Sequence, residues 1–348
     1  MINFLFALNI IWGLICLVLY LVAGVDPKNF WLFSISSLLI PVSFGINIFF
    51  IFIWLFIRWR YGVLSLIILI LGYGPLSKFV AFNEVSEVPK CKTNGFKLMS
   101  FNVYGLKNTK DPNEQIHQTK KNQFLSFLRK SEPDIFCVQE NNLYADRIIN
   151  ETGLFTYVHY IIKHGTAIYS KYPIMDQGLI DFGKMTNSCV WADIMVEGRR
   201  LRVYSIHLES NRISKDINQL KDDEKEDQEE KIGLLRSMIR KYRRTSVRRA
   251  KQADMIQAHA AQCEYPVIIA GDFNDTPYSY AYRRLVKDKE DSFLARGSGI
   301  GTTYVGLMPG LRIDFILADK KAIDFCRHHV LQTAFSDHNP VIADIYSK

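Results

Sequence analysis

The sequence predicts a membrane-embedded all-α segment followed by a single α/β domain, and three observations lead there. The first eighty residues carry almost no charge and fall into long apolar runs. From Phe96 onward, short apolar strands alternate with helical periods. Strands interleaved with helices argue for a layered α/β fold. Polar side chains then recur at the ends of nearly every core strand.

The membrane segment rests on length and charge. A spanning helix needs ~20 apolar residues to cross a hydrocarbon core about 30 Å thick. Residues 3–24 meet this without a charge, residues 31–57 form a second run, and residues 62–80 a shorter third. The first run lacks a basic n-region and is too long for the core of a cleaved signal peptide. Residues 1–80 are therefore read as a transmembrane region of about three helices. Arg58 and Arg60 lie between the second and third runs, whereas only Asp26 and Lys28 lie between the first and second. The positive-inside rule places the arginines in the cytoplasm of a bacterial inner or plasma membrane. The following domain is then expected in the periplasm or outside the cell. Residues 81–95, polar with Pro89 and Gly95, read as a linker. If flexible, such a linker spans about 20 Å and lets the domain hover over the bilayer.

Residues 96–348 read as one domain. Of the 348 residues, 43 are basic and 35 acidic, and the part beyond residue 80 carries about +5 of the net +8. This modest balance suits an anionic substrate or bilayer surface and does not demand nucleic acid. The six cysteines are singly placed, without metal-finger or redox spacing, and are read as small core hydrophobes. Phe96–Gly105, Asp134–Glu140, Thr166–Ile174, Cys189–Gly198, Arg200–Ser210, Tyr265–Asn274 and Arg312–Ala318 read as strands, with a last one after Ser336. Glu197–Gly198 reads as a hairpin turn. Residues 112–130 have helical periodicity. Residues 236–251 hold eight basic side chains and no acidic ones. They read as an amphipathic helix with a solvated basic face, or else as a surface for lipid phosphates or nucleic acid.

Asn102, Glu140, His207, Asp272, Asn274, Asp314, Asp337 and His338 all lie in or at the ends of strands. Each alone is ordinary turn chemistry. Together they suit one reaction. Hydrolysis of a phosphate ester needs a hard cation, which carboxylates hold. It needs a base for the attacking water and donors for the negative transition state. This set supplies all three. No cysteine or histidine cluster suggests zinc, and no Gly-rich phosphate loop is present.

The stretches SFNVYGL, IFCVQE, IHLE, AGDFND, RIDFIL and SDHNPV, in this order, resemble the endonuclease/exonuclease/phosphatase superfamily from about Phe96 to the C-terminus. The resemblance is to its deoxyribonuclease and sphingomyelinase branches, which have two catalytic histidines. It implies a four-layered α/β sandwich of two packed mixed sheets. It implies Glu140, Asn102 and Asp337 on the metal side, with Mg²⁺, or Mn²⁺, as the ion. It implies Asp272 as the residue that orients or deprotonates water, and Asn274 and His338 as phosphate contacts. Asp314 would orient a catalytic histidine, and His207 would be a general acid. Arg212 and Thr303 stand where substrate contacts would fall, although a solvated loop suits Arg212 as well. Tyr278, Tyr280 and Tyr282 are read as core packing. The implied activity is hydrolysis of phosphodiesters, as a nuclease or a phospholipid or sphingolipid headgroup phosphodiesterase. A phosphomonoesterase of inositol-phosphate type and a catalytically silent membrane-anchored binding domain are the alternatives.

Overall fold

A computed structural model describes residues 2–83, 95–183, 187–211, 228–306 and 310–348. The N-terminal part is helical: α1 (Ile2–Val22), α2 (Pro27–Phe30), α3 (Ser36–Ile57), α4 (Trp59–Leu71) and α5 (Tyr73–Leu76). Pro27 opens α2, and the Asp26 carboxylate caps it by accepting from the Lys28 amide. Burial here is inverted relative to a water-soluble bundle. Asn9, Ser43, Asn47 and Ser65 are buried, while Phe4, Leu21, Phe49 and Phe56 face outward. Asn9 is satisfied across helices: its Nδ2 donates to Ser65 Oγ at 2.9 Å, and Trp54 Nε1 donates to its Oδ1 at 2.9 Å. Lipid as solvent favours this arrangement, because an unpaired polar group in hydrocarbon costs several kcal/mol.

Ile2–Val22 and Pro27–Ile57 are long and apolar enough to cross a membrane. The run expected as a third span forms a 13-residue helix, about 20 Å long, and then breaks at Gly72. The Tyr20 ring packs close against Gly72, 2.8 Å from where a Cβ would stand, so a larger residue there would have to displace the ring.

The domain contains two six-stranded sheets. One runs β13–β14–β2–β3–β5–β4, from β2 (Gly95–Asn102), β3 (Ile135–Gln139), β4 (Tyr157–Tyr160), β5 (Ala167–Ser170), β13 (Ile323–Val330) and β14 (Val341–Ser347). The other runs β10–β12–β9–β8–β7–β6, from β6 (Ile174–Asp181), β7 (Ser188–Val196), β8 (Arg199–His207), β9 (Val267–Asp272), β10 (Lys289–Asp291) and β12 (Asp314–Asp319). Among the described residues only β2–β3 and β8–β9 are parallel pairs, so both sheets are mixed. Their inner faces meet in a core that includes Leu98, Ile135, Ile168, Val190, Val203, Ile268, Ile316 and Val341. Helices α6 (Glu114–Ser131) and α7 (Leu143–Asn150) cover the first sheet through Phe124, Leu128 and Ile148. Helices α8 (Gln228–Ala260) and α9 (Tyr280–Leu285) cover the second through Ala253, Ile256 and Tyr282. The expected four layers are present.

Some expectations shift. The run 166–174 is two strands in different sheets, because the chain crosses between β5 and β6 at Lys171–Pro173. Strand β13 lacks the apolar signature because Arg327, His328 and His329 interrupt it on a sheet edge. Cys326 is disulfide-bonded, so it is not the simple core hydrophobe expected, whereas Cys16, Cys137, Cys189 and Cys263 are free thiols. Cys91 lies outside the described residues, as does most of the expected linker, residues 84–94.

The domain does not hover. Strand β1 (Val80–Phe82) pairs with β11 (Ser298–Ile300), just beyond the short helix α10 (Ser292–Arg296). Arg312 Nη2 donates to the Lys78 carbonyl at 2.8 Å, and Arg283 Nη1 to the Ala23 carbonyl at 2.7 Å. Tyr242 Oη donates to the Ser34 carbonyl, and Thr276 Oγ1 to the Ser37 carbonyl. Tyr278 packs in a cluster with Leu19, Ile40 and Phe44. The ends of α1 and α3 thus form one packed body with α8, α9 and the loop after β9.

Candidate active site

Strand register builds the site. In the second sheet His207 pairs with Asp272, and Asp272 with Asp314, so three adjacent strands place these residues in one row. In the first sheet Asn102 pairs with Gln139, which puts Glu140 one step beyond. The two sheets meet there: Asn102 Nδ2 donates to Asp272 Oδ2 at 3.0 Å and approaches Glu140 Oε1 at 3.4 Å. Gly271 allows this. A Cβ on it would sit 2.0 Å from the Ile206 carbonyl oxygen, and its φ is +148°. Glu140 and Asn274 both hold φ near +51°, a conformation that costs roughly 1–3 kcal/mol outside glycine and is concentrated at functional sites.

Asp272 is buried and accepts from the Asn274 amide at 2.8 Å and from Asn274 Nδ2 at 3.1 Å. Burial raises its pKa, an effect that the nearby His338 and His207 oppose. His338 Nδ1 meets Asp314 Oδ2 at 2.9 Å, and its Nε2 stands 3.8 Å from Asp272 Oδ2. Burial disfavours the charged imidazole, but the Asp314 and Asp272 carboxylates together outweigh it and push the pKa up to about 10. His338 is therefore a cation at neutral pH. The Ser336 hydroxyl fixes its segment by donating to the Asn102 carbonyl at 2.7 Å and accepting from the His338 amide. His207 Nε2 lies 3.6 Å from Asp272 Oδ2, and neither ring nitrogen has a hydrogen-bond partner among the described residues.

These groups line one cleft of about 590 Å³. Glu140, His207, Asp272, Asn274, Asp337 and His338 all face it. Asn102 is buried just behind, and Asp314 behind His338. Thr303 does not line the cleft. Its Oγ1 accepts from the amides of Ile313 and Asp314 and so anchors the start of β12. Arg212 lies outside the described residues. Tyr278 and Tyr282 are core residues as expected, whereas Tyr280 is part-exposed and donates to Asp254. The basic helix α8 is not simply solvated. Arg249 is buried, donates to Asp275 Oδ2 at 2.9 Å and to Asn211 Oδ1 at 2.8 Å, and so holds two loops of the cleft. Tyr104, Lys107, Lys163, Asn187 and Leu38 also line the cleft, and sequence reading missed their place there. Tyr104 and Lys107 adjoin the Asn102 motif, which is a signal that could have found them. Nothing local marks Leu38.

The donor set fits a hard divalent cation. Glu140 and Asp337 present carboxylate oxygens to the cleft, the ligands such an ion prefers. Asn102 turns its amide nitrogen, which cannot ligate a cation, toward both Glu140 and Asp272, and accepts the Tyr104 amide on its oxygen. In this geometry it positions carboxylates. Asp272, Asp314 and His338 also bring donor atoms within 4.8 Å of one another. The Asp314–His338 hydrogen bond already occupies two of these groups, which makes them a charge-paired dyad more than a cation cage.

Fold and site define a layered α/β metal-dependent hydrolase of phosphate esters. The chain belongs to the Endonuclease/Exonuclease/phosphatase family, whose profile matches residues 99–338. Residues 2–79 match a separate domain of unknown function, DUF8431. No curated protein matches the chain. Among solved structures it is similar to an endonuclease/exonuclease/phosphatase from Bacteroides vulgatus, at 16% identity and a TM-score of 0.55, over 73% of this chain and 99% of that one. It is also similar to a humanized D. rerio TDP2 (18%, TM-score 0.53, 73% and 99%) and to the human Nocturnin catalytic domain (15%, TM-score 0.52, 76% and 97%). These likenesses carry the fold alone.

Proposed function

We propose that the protein is a membrane-anchored, Mg²⁺-dependent phosphodiesterase whose catalytic domain faces the periplasm or cell exterior. Its substrate is a nucleic acid or a lipid headgroup phosphodiester. The observation that carries the reading is the meeting of Asn102, Glu140 and His338, from the first sheet and the connection that leads into β14, with His207, Asp272 and Asp314 from the second around one cleft. Glu140 and Asp337 would hold the divalent ion, which when bound neutralises phosphoryl oxygen charge. Asp272 orients the attacking water and takes its proton, with Asn102 and Asn274 fixing the carboxylate. Cationic His338 donates to the phosphoryl oxygens as negative charge builds, and the Asn274 side-chain amide joins it by giving up its bond to the Leu208 carbonyl. His207, with unpartnered ring nitrogens beside Asp272, protonates the leaving oxygen.

Three features support the membrane orientation. The N-terminal helices turn apolar side chains outward. Arg58, between α3 and α4, and Arg60, in the first turn of α4, lie at the end of α3 remote from the Ser34–Ser37 contacts with the domain. The Cys326 disulfide suits an oxidising compartment.

The test is hydrolysis of bis-p-nitrophenyl phosphate by the full chain in detergent. With Mg²⁺, wild type turns the substrate over and EDTA stops it. Asp272→Asn and His338→Ala each lower kcat by roughly 10²–10⁴-fold, the range of general acid–base and positioned-charge effects. A wild-type protein inactive on every phosphate ester with Mg²⁺ or Mn²⁺ overturns the enzyme reading.

A further inference from the structure

The membrane region does more than hold the domain, because it supplies a wall of the cleft. Leu38, in the first turn of α3, lines the same cleft as Glu140, Asp272 and His338. Helix α3 has 22 residues, about 33 Å at 1.5 Å per residue, which matches a hydrocarbon core of about 30 Å. Its first turn therefore sits at the level of the lipid headgroups, and the cleft opens there. The contact is built in: Ser37 accepts from Thr276 Oγ1 on its carbonyl at 2.9 Å, and Thr276 follows Asp275 in the loop that carries Asn274.

A second, independent surface points the same way. On the N-terminal half of α8, Ile232, Leu235 and Ile239 are 49%, 55% and 40% exposed at helical spacing. Arg236, Arg240 and Arg243 lie among them. Such a helix, apolar on one stripe and basic beside it, suits the plane of a bilayer interface with anionic headgroups. Its position agrees. Tyr242 bonds Ser34, and the Arg243 guanidinium lies 5.4 Å from the Trp31 ring centroid. The exposed stripe thus continues the apolar belt of exposed Phe30 and Leu32.

We infer that the substrate is a phosphodiester of a bilayer lipid, drawn into the cleft from the headgroup layer past Leu38, with α8 lying on the same surface. This rests on the phosphoesterase reading above and narrows it. Water adds to phosphorus, one ester P–O bond breaks, Asp272 takes a water proton, and the leaving oxygen receives one from His207. The products are an alcohol and a phosphomonoester, one of which keeps the acyl chains.

The experiment places the full chain in nanodiscs of phosphatidylcholine, phosphatidylethanolamine and phosphatidylglycerol with Mg²⁺. Lipid products are followed by mass spectrometry. Bis-p-nitrophenyl phosphate and a single-stranded oligonucleotide are assayed in the same preparation. Lipid turnover is expected to exceed oligonucleotide turnover at least tenfold. Leu38→Asp should lower the ratio of lipid to bis-p-nitrophenyl phosphate turnover tenfold, with Leu38→Met restoring it. The triple change of Ile232, Leu235 and Ile239 to Asp should lower the same ratio. Faster cleavage of the oligonucleotide, or ratios that do not move in either variant, overturns the inference. Hydrolysis of bis-p-nitrophenyl phosphate without lipid products overturns it alone. No hydrolysis of any substrate overturns the phosphoesterase reading with it.

Discussion

His338 and Asp314 meet at 2.9 Å, and their chemistry fixes what each can do. His338 is buried and charged only because Asp314 and Asp272 face it. Its pKa of about 10 lies above the ordinary imidazole value of 6.5. The pair therefore stabilises the fold fully below pH 6.5, and that contribution is lost as pH rises through 10. Asp314→Asn removes the closest carboxylate, so the His338 pKa should fall, and imidazole NMR titration reads the shift directly. Turnover of bis-p-nitrophenyl phosphate should fall by about 10²-fold, as for loss of a group that orients a catalytic histidine. An unshifted His338 titration would show that Asp314 does not control its charge.

At the scale of elements, the strand ends explain why so many site residues were legible. Apolar runs such as Val267–Ala270 and Ile135–Val138 read as strands buried on both faces, and the polar residue that ends each lies where the strand leaves the core. Other elements hid their character. Strand β13 carries His328, whose Nδ1 meets Ser292 Oγ at 2.9 Å on the adjoining α10. Burial lowers its pKa to about 3. A depressed pKa gives stability that is present above 6.5 and lost as pH falls toward 3. The domain should weaken on acidification from pH 6.5 to 4, by at most about 1.4 kcal/mol per unit from this group. Urea midpoints across that range should show a shallower slope in His328→Gln, and equal slopes would remove His328 from the acid response.

At the scale of the molecule, the domain and the helical region are one packed body, joined by Arg283, Arg312, Tyr242, Thr276 and the β1–β11 pair. A tether of about 15 residues allowed a free domain, but the packed ends of α1 and α3 forbid it. The proposed orientation, with Arg58 and Arg60 on the cytoplasmic side, puts the domain outside and has a direct test. Alkaline phosphatase fused after Lys348 should be active and a cytoplasm-dependent reporter at the same site silent. The opposite pair of results would reverse the orientation.

The sequence by itself determined the layered α/β class, the apolar helical N-terminal segment and six motifs of the site. It could do so because buried strands and long apolar helices show in runs that read locally, and phosphoester chemistry needs few residue types. Only the tertiary structure decided three things. It set the register that puts His207, Asp272 and Asp314 in one row, which depends on pairing between distant strands. It gave α8 a buried arginine that holds the cleft loops, which a charge count cannot separate from a solvated one. And it placed Leu38, an unremarkable leucine in an apolar run, in the wall of the active cleft. Packing between residues more than two hundred apart makes that last contact, and no local pattern records it.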